Sequence, residues 1–251
     1  MILTRDHGAV RELQLDRPPA NALSPELVSA LAEAVRAAPR EGARAIVLSG
    51  LPGRFSGGLD VPFLLTVDRA GIAAAWRGFY DMMHTLVASP LPIAAAVTGH
   101  APAGGTVLAL LCDWRAVAEG DWKLGLNEVQ VGLPLPPVIL ALLQRQVGPR
   151  HAERLAVSGA LISPAEALRV GLVDEVVPAA GLVARAVEWC EGLLALPPEA
   201  MATTRRQARA DLVALLDDAV RGEIEAVEES WFHPETQSVL HAVVERMRQK
   251  K

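Results

Sequence analysis

Leu91-Pro-Ile-Ala-Ala-Ala-Val-Thr-Gly-His-Ala-Pro-Ala-Gly-Gly-Thr-Val-Leu-Ala-Leu-Leu111 is the stretch on which the fold turns. Its first part, through Val97, is a short apolar run and reads as a buried strand. Its last part, Thr106 to Leu111, reads as a wholly apolar helix, and a helix without a polar face is covered on every side. Gly99-His-Ala-Pro-Ala-Gly-Gly105 joins the two. A buried strand that turns through glycines into a buried helix is a unit of an α/β core.

The same unit precedes it. Ala43-Arg-Ala-Ile-Val-Leu-Ser49 is a second apolar run, and it empties into Gly53-Arg-Phe-Ser-Gly-Gly-Leu-Asp60. Helical spacing of Trp76, Phe79, Tyr80 and Met83 predicts a helix over 71–89. Upstream, Ala9 to Asp16 alternates like a half-buried strand. Ser24-Pro-Glu26 then opens a helix reaching about Ala38, with Ser as N-cap, Pro in the first turn and an acid at the positive end. Downstream come a strand at Trp114–Ala118, a capping box at Ser163-Pro-Ala-Glu166 and a last strand over Val173–Val177. From Ala179 the pattern is helical, broken at Pro197-Pro198 and His233-Pro234. The expected organisation is an α/β core over 1–196 and a helical region over 197–251, with no sequence repeat of fixed period.

Hydrophobic residues make up 51% of the 251 residues and charged residues 21%, enough for a sizeable core. Aromatics are only 4%, so that core is built mainly of Ala, Val and Leu. The net charge of −5 carries no basic stripe, which argues against a nucleic-acid partner. No apolar run reaches the roughly 18 residues of a membrane span. The start, Met1 to Gly8, is too polar for a signal peptide, and Cys112 and Cys190 lie far apart. A cytoplasmic location in a reducing compartment is the expectation.

Two glycine turns stand out for chemistry. Each follows a strand and precedes helical sequence, where free N–H groups can converge on one oxygen and form an oxyanion hole. Gly104 is one natural donor, and Leu59, after Gly57-Gly58, is the other. Neither turn has the Lys-Ser/Thr of a Walker loop, and no GxGxxG follows a strand. Glu128 sits in Leu124-Gly-Leu-Asn-Glu-Val-Gln-Val-Gly-Leu133 among apolar and small neighbours. Burial there would raise its pKa, as an acid–base group requires. His84, His100 and His233 have no metal-like spacing, so no metal site is expected.

Six segments in order resemble the crotonase, or enoyl-CoA hydratase/isomerase, superfamily. They are Pro18-Pro-Ala-Asn-Ala-Leu-Ser24, Phe55-Ser-Gly-Gly-Leu-Asp60, Gly99 to Gly105, Cys112-Asp113, Gly125-Leu-Asn-Glu128 and Ala165-Glu-Ala-Leu-Arg-Val-Gly-Leu-Val173. The resemblance implies a spiral of ββα units with C-terminal helices that assemble a homotrimer or a dimer of trimers. It also implies an acyl-CoA thioester substrate, with coenzyme A part of that substrate and no separate cofactor.

Leu59 and Gly104 match the family's oxyanion donors, and Glu128 its acid–base glutamate. Ala20 and Asn21 match the stretch along the CoA nucleotide. Gly57, Gly58, Asp60 and Gly105 fall in the substrate-binding turns, and Asp60 and Asp113 are read as structural. Hydratases of this family carry a second glutamate, at the position of Val107. Dienoyl-CoA isomerases carry an aspartate where Pro136 stands. The single-glutamate pattern is most similar to Δ3,Δ2-enoyl-CoA isomerases. Asn127 either orients Glu128 or caps the local turn, and Trp76, Phe79 and Met83 are candidates for the apolar tunnel that an acyl chain needs. The end of the chain, from Trp231 onward, resembles the family's last helix, which often reaches a neighbouring subunit's site, and Lys250 and Lys251 are either contacts to CoA phosphates or solvated terminal lysines. Two alternatives stay open: a hydratase or other crotonase-family reaction, its second acid supplied by Glu119 or Asp121, and a non-catalytic acyl-CoA-binding homologue.

Overall fold

In the computed structural model, which describes residues 1–249, the strands fall into two sheets. The larger contains β1 (Ile2–His7), β2 (Val10–Leu15) and β3 (Ala45–Ser49). From β4 (Gly53–Arg54) onward the chain alternates. β5 (Ile93–Val97), β7 (Trp114–Ala118) and β9 (Glu175–Val177) extend the larger sheet, in the order β1-β2-β3-β5-β7-β9. β4, β6 (Gly99–Pro102) and β8 (Leu124–Gly125) form the smaller one. Among these strands of the described residues, β1 and β2 pair antiparallel and the other pairs are parallel. Each turn of this spiral thus gives one strand to each sheet. β3, β5 and β7 are buried along their whole length, as strands covered on both faces must be.

Helices α1 (Pro25–Ala37), α2 (Val61–Leu64), α3 (Arg69–Ala88) and α4 (Gly104–Leu110) accompany the first turns. Ser24 Oγ accepts from Leu27 N with Pro25 in the first turn, so the expected cap forms. All of α4 is buried. Next come α5 (Pro137–Val147), α6 (Pro149–Ser158), α7 (Pro164–Arg169) and α8 (Leu182–Leu194). Finally come α9 (Pro198–Ala208), α10 (Ala210–Gly222), α11 (Ile224–Trp231) and α12 (Pro234–Gln249); α10 and α11 fold back over α3, and α12 over the segment around Glu128. Asp113 fastens this return. Its carboxylate accepts from Ile93 N at 2.8 Å, Arg205 Nη2 at 2.9 Å and Arg209 Nη1 at 2.9 Å, the structural role expected of it.

Two local expectations need correction, and one strand was not foreseen. The polar start is a strand: β1 is an edge whose residues mostly face water, so it shows no apolar alternation. β2 is buried rather than half-buried, because its polar side chains are paired. Glu12 accepts from Ser49 Oγ at 2.6 Å, and Arg11 Nε donates to Asp6 at 2.8 Å. At α7, Ser163 Oγ accepts from Glu166 N, but the Glu166 carboxylate turns outward to Arg169 and Arg154, so only half of the capping box forms.

Candidate active site

The two glycine turns meet. Leu23 pairs with Leu59 as a parallel bridge, through Leu23 N to Gly58 O and Asp60 N to Leu23 O. That pattern leaves the N–H of Leu59 itself pointing to the other side. A β-carbon placed on Gly104 would lie 3.5 Å from Leu59 N, and one on Gly58 would lie 3.2 Å from Gly104 N. At Gly104 the direction is set by one peptide plane. The Ala103 carbonyl accepts from Val107 N at 3.0 Å, so the antiparallel N–H of Gly104 leaves the helix end. Ala103 reaches this geometry at φ 48°, a strained region for a residue with a side chain. Two unengaged N–H groups therefore share one small space, the arrangement an oxyanion requires.

Glu128 opens a short 3₁₀ turn, Glu128–Val131, that ends on Gly132 at φ 76°. Its Oε2 is inaccessible and meets no donor, although the residue as a whole is half-buried. Burial pushes the carboxyl up to about 7, only partly offset by its own backbone N–H. The segment is tied to the oxyanion turn from two directions. Ala103 N donates to Gly125 O at 2.8 Å, and Gly125 N donates to Thr106 Oγ1 at 2.8 Å. No described side chain, Asn127 included, hydrogen-bonds the carboxylate, and Asn127 makes no side-chain cap to the turn it opens, so neither expected contact of Asn127 is formed. Asn127 Oδ1 is itself a buried acceptor without a donor.

Both turns and Glu128 border a cavity of about 550 Å³. Of the expected substrate-region residues, Ala20, Gly57, Leu59, Asp60, Trp76, Phe79, Gly104, Val107, Asn127 and Glu128 line it. Asn21, Gly58, Met83, Gly105 and Pro136 do not, each for a packing reason. Asn21 is fully buried, and its amide donates to the Leu15, Arg54 and Phe55 carbonyls. Gly58 backs the Gly104 amide, and Gly105 is pressed against Ser56 O, 2.5 Å from where a β-carbon would stand. Met83 belongs to the core on the inner face of α3, and Pro136 is buried where α5 begins. Lys250 and Lys251 lie outside the described residues.

Carboxylates in the lining are Glu128 and Asp60, and Asp60 is engaged. It accepts from Arg17 Nη2 at 2.6 Å and caps α2 through Phe63 N, the structural role read for it. Val107 is buried and apolar. Glu119 and Asp121 are exposed and stand off the cavity. Sequence reasoning did not single out Arg17, Leu133 or Ile139. Trp231, Val243 and Val244 line this chain's own cavity, because α11 returns over α3 and α12 over the Glu128 turn. The aromatic and β-branched residues around His233-Pro234 were the available signal.

The family model described as enoyl-CoA hydratase/isomerase matches residues 5–250. The mitochondrial enoyl-CoA delta isomerase 1 of Mus musculus is 31% identical over 254 residues, covering 100% of this chain and 88% of that protein. A probable enoyl-CoA hydratase of Mycobacterium avium (strain 104) is 35% identical, covering 80% and 78%. The crystal structure of human mitochondrial delta3-delta2-enoyl-CoA isomerase superposes with a TM-score of 0.95 at 30% identity, covering 100% of this chain and 99% of that one. With the crotonase-type spiral, the paired turns and the half-buried glutamate in place, the chain belongs to the enoyl-CoA hydratase/isomerase family.

Proposed function

We propose that this protein is an isomerase that shifts the double bond of a 3-enoyl-CoA to the conjugated 2-trans position. The observation that carries the reading is Glu128 as the one unpaired carboxyl in the described cavity lining, with Val107 in place of a second acid. Glu128 takes a proton from C2, and the electron pair moves into a dienolate whose charge rests on the thioester oxygen. The N–H groups of Leu59 and Gly104 hold that oxygen; one such donor contributes about 3 kcal/mol to the transition state. Glu128 then returns the proton to C4 as the double bond settles between C2 and C3. The shift is redox-neutral and consumes no water, so coenzyme A enters as part of the substrate and no other cofactor is called for. A carboxyl titrating near neutrality suits both halves of this transfer.

The test is a paired absorbance assay. Formation of the conjugated thioester from 3-enoyl-CoA, with negligible hydration of 2-enoyl-CoA, is the expected result. Efficient hydration would replace this reading with a hydratase. Binding of acyl-CoA without either reaction would make the protein a non-catalytic homologue.

The chain is further proposed to work as a trimer or a dimer of trimers. Support comes from an apolar groove of about 440 Å³ where the core meets α9, bordered by Trp189, Leu193, Leu196, Pro197 and Met201. Light scattering after size exclusion gives the mass directly, and a monomer at micromolar concentration would end that proposal.

A further inference from the structure

The cavity wall is chemically asymmetric. On one part stands Arg17, its side chain 34% exposed and paired with Asp60. On another, Leu133, Ile139, Trp231, Val243 and Val244 bring no charged or hydrogen-bonding group except the indole N–H. A thioester of a phosphorylated carrier has its charge on the carrier, while a hydrocarbon acyl tail has none. Desolvation therefore sends the tail toward the apolar wall and keeps the carrier on the charged side.

Trp231 is the largest side chain of that wall and only 1% exposed. Its backbone is held on both sides. Before α11, the Glu223 carboxylate accepts from Tyr80 Oη at 3.1 Å and from Val138 N at 3.2 Å. After it, Gln237 Nε2 donates to Trp231 O at 2.7 Å, and Thr236 Oγ1 donates to Gly132 O at 2.5 Å. Next door, the Phe232 ring lies 4.7 Å from the Arg69 guanidinium, which also bonds Glu228 at 3.0 Å. An indole on backbone fixed at so many points, in a close-packed wall, is a rigid stop rather than a movable one.

We propose that Trp231 is the specificity-determining residue for acyl length: the unbranched hydrocarbon tail extends until it meets this indole. The proposal deepens the thioester reading above and rests on it. Longer tails must leave methylenes in water or displace a pinned side chain. Shorter ones leave part of the wall uncovered.

Saturated acyl-CoAs of graded length, which have no double bond to move, test this without depending on turnover. Calorimetric titration of wild type, Trp231→Phe and Trp231→Leu gives affinity against chain length. In wild type each added methylene should tighten binding by up to about fourfold, until a break beyond which the gain stops. Trp231→Leu should move the break to longer tails. The affinity ratio between a tail two methylenes past the wild-type break and one at the break should then rise about tenfold. Trp231→Phe should shift it less, in the same direction, and decides the matter if the leucine variant does not fold. A break at one length in all proteins, or a parallel loss at every length, overturns the proposal. Failure of wild type to bind any acyl-CoA sinks the thioester reading itself, whereas binding without isomerisation of 3-enoyl-CoA leaves the length gauge standing.

Discussion

Gly125 N donates to Thr106 Oγ1 at 2.8 Å, while Thr106 Oγ1 in turn donates to Ala101 O at 2.5 Å. One buried hydroxyl thus couples the strand leading to Glu128 with the helix whose end presents the Gly104 amide. Replacing it with Val keeps the shape but strands the buried Gly125 N–H, which costs about 1–3 kcal/mol. Thr106→Val should lower both the melting temperature and kcat, and Thr106→Ser should restore much of each. A valine variant with unchanged kcat would show that the coupling does not matter to catalysis.

Gly104 has no room for a side chain. A β-carbon there would stand 2.9 Å from Leu23 Cδ1 and 3.2 Å from Gly58 Cα. The leucine tip can yield, but the Gly58 backbone yields only by moving the Leu59 amide. Gly104→Ala should therefore reduce kcat for 3-enoyl-CoA by roughly the effect of one lost oxyanion donor, about 10²- to 10³-fold. Steady-state kinetics beside a melting curve separates this from unfolding.

Glu128→Gln removes the proton carrier while preserving volume. Turnover should fall by roughly 10²- to 10⁴-fold. In the wild type the carboxylate is the proton-accepting form, so kcat/KM should rise with pH around a midpoint near 7. A flat profile between about pH 5.5 and 8 would assign the base to another group.

The same carboxyl makes stability depend on pH. Its folded pKa of about 7 lies above the ordinary 4.5, so folding favours the protonated form. The contribution is fully present below about pH 4.5 and is lost as pH rises through 7. Glu128→Gln carries no such charge. Its stability relative to wild type should therefore grow between those values and level off above, by at most about 3 kcal/mol. Denaturant melts across that range read the difference.

Asp113 faces two guanidinium groups and a backbone N–H at the joint with the C-terminal helices. The ion pairs are largely buried, so Asp113→Asn should destabilise by about 3–5 kcal/mol by leaving cationic side chains unmatched. Hydrogen exchange should show α9 and α10 loosening first. Uniform loosening of the whole chain would contradict that joint as the weak point.

Much of this protein was legible from local sequence. Ile93–Val97, Gly99–Gly105 and the all-apolar helix after them could only be core, and an α/β core follows from burying them, whereas the spiral was implied by the family resemblance. Leu59, Gly104 and Glu128 could be named because a glycine turn before a helix and an acid in apolar surroundings each carry their chemistry in neighbouring residues. The strand β1 was missed because an exposed edge has no apolar period to read. Tertiary structure alone decided which named residues reach the cavity. Asn21 and Gly105 lie one layer behind it, turned by hydrogen bonds and contacts that include partners 33 to 49 residues away. It also decided that Trp231 lines this chain's own cavity, since a helix pair's apolar face shows that it must be covered but not by what. Sequence fixes which groups must be buried or left free to react; only the returning chain, by close packing, chooses their partners.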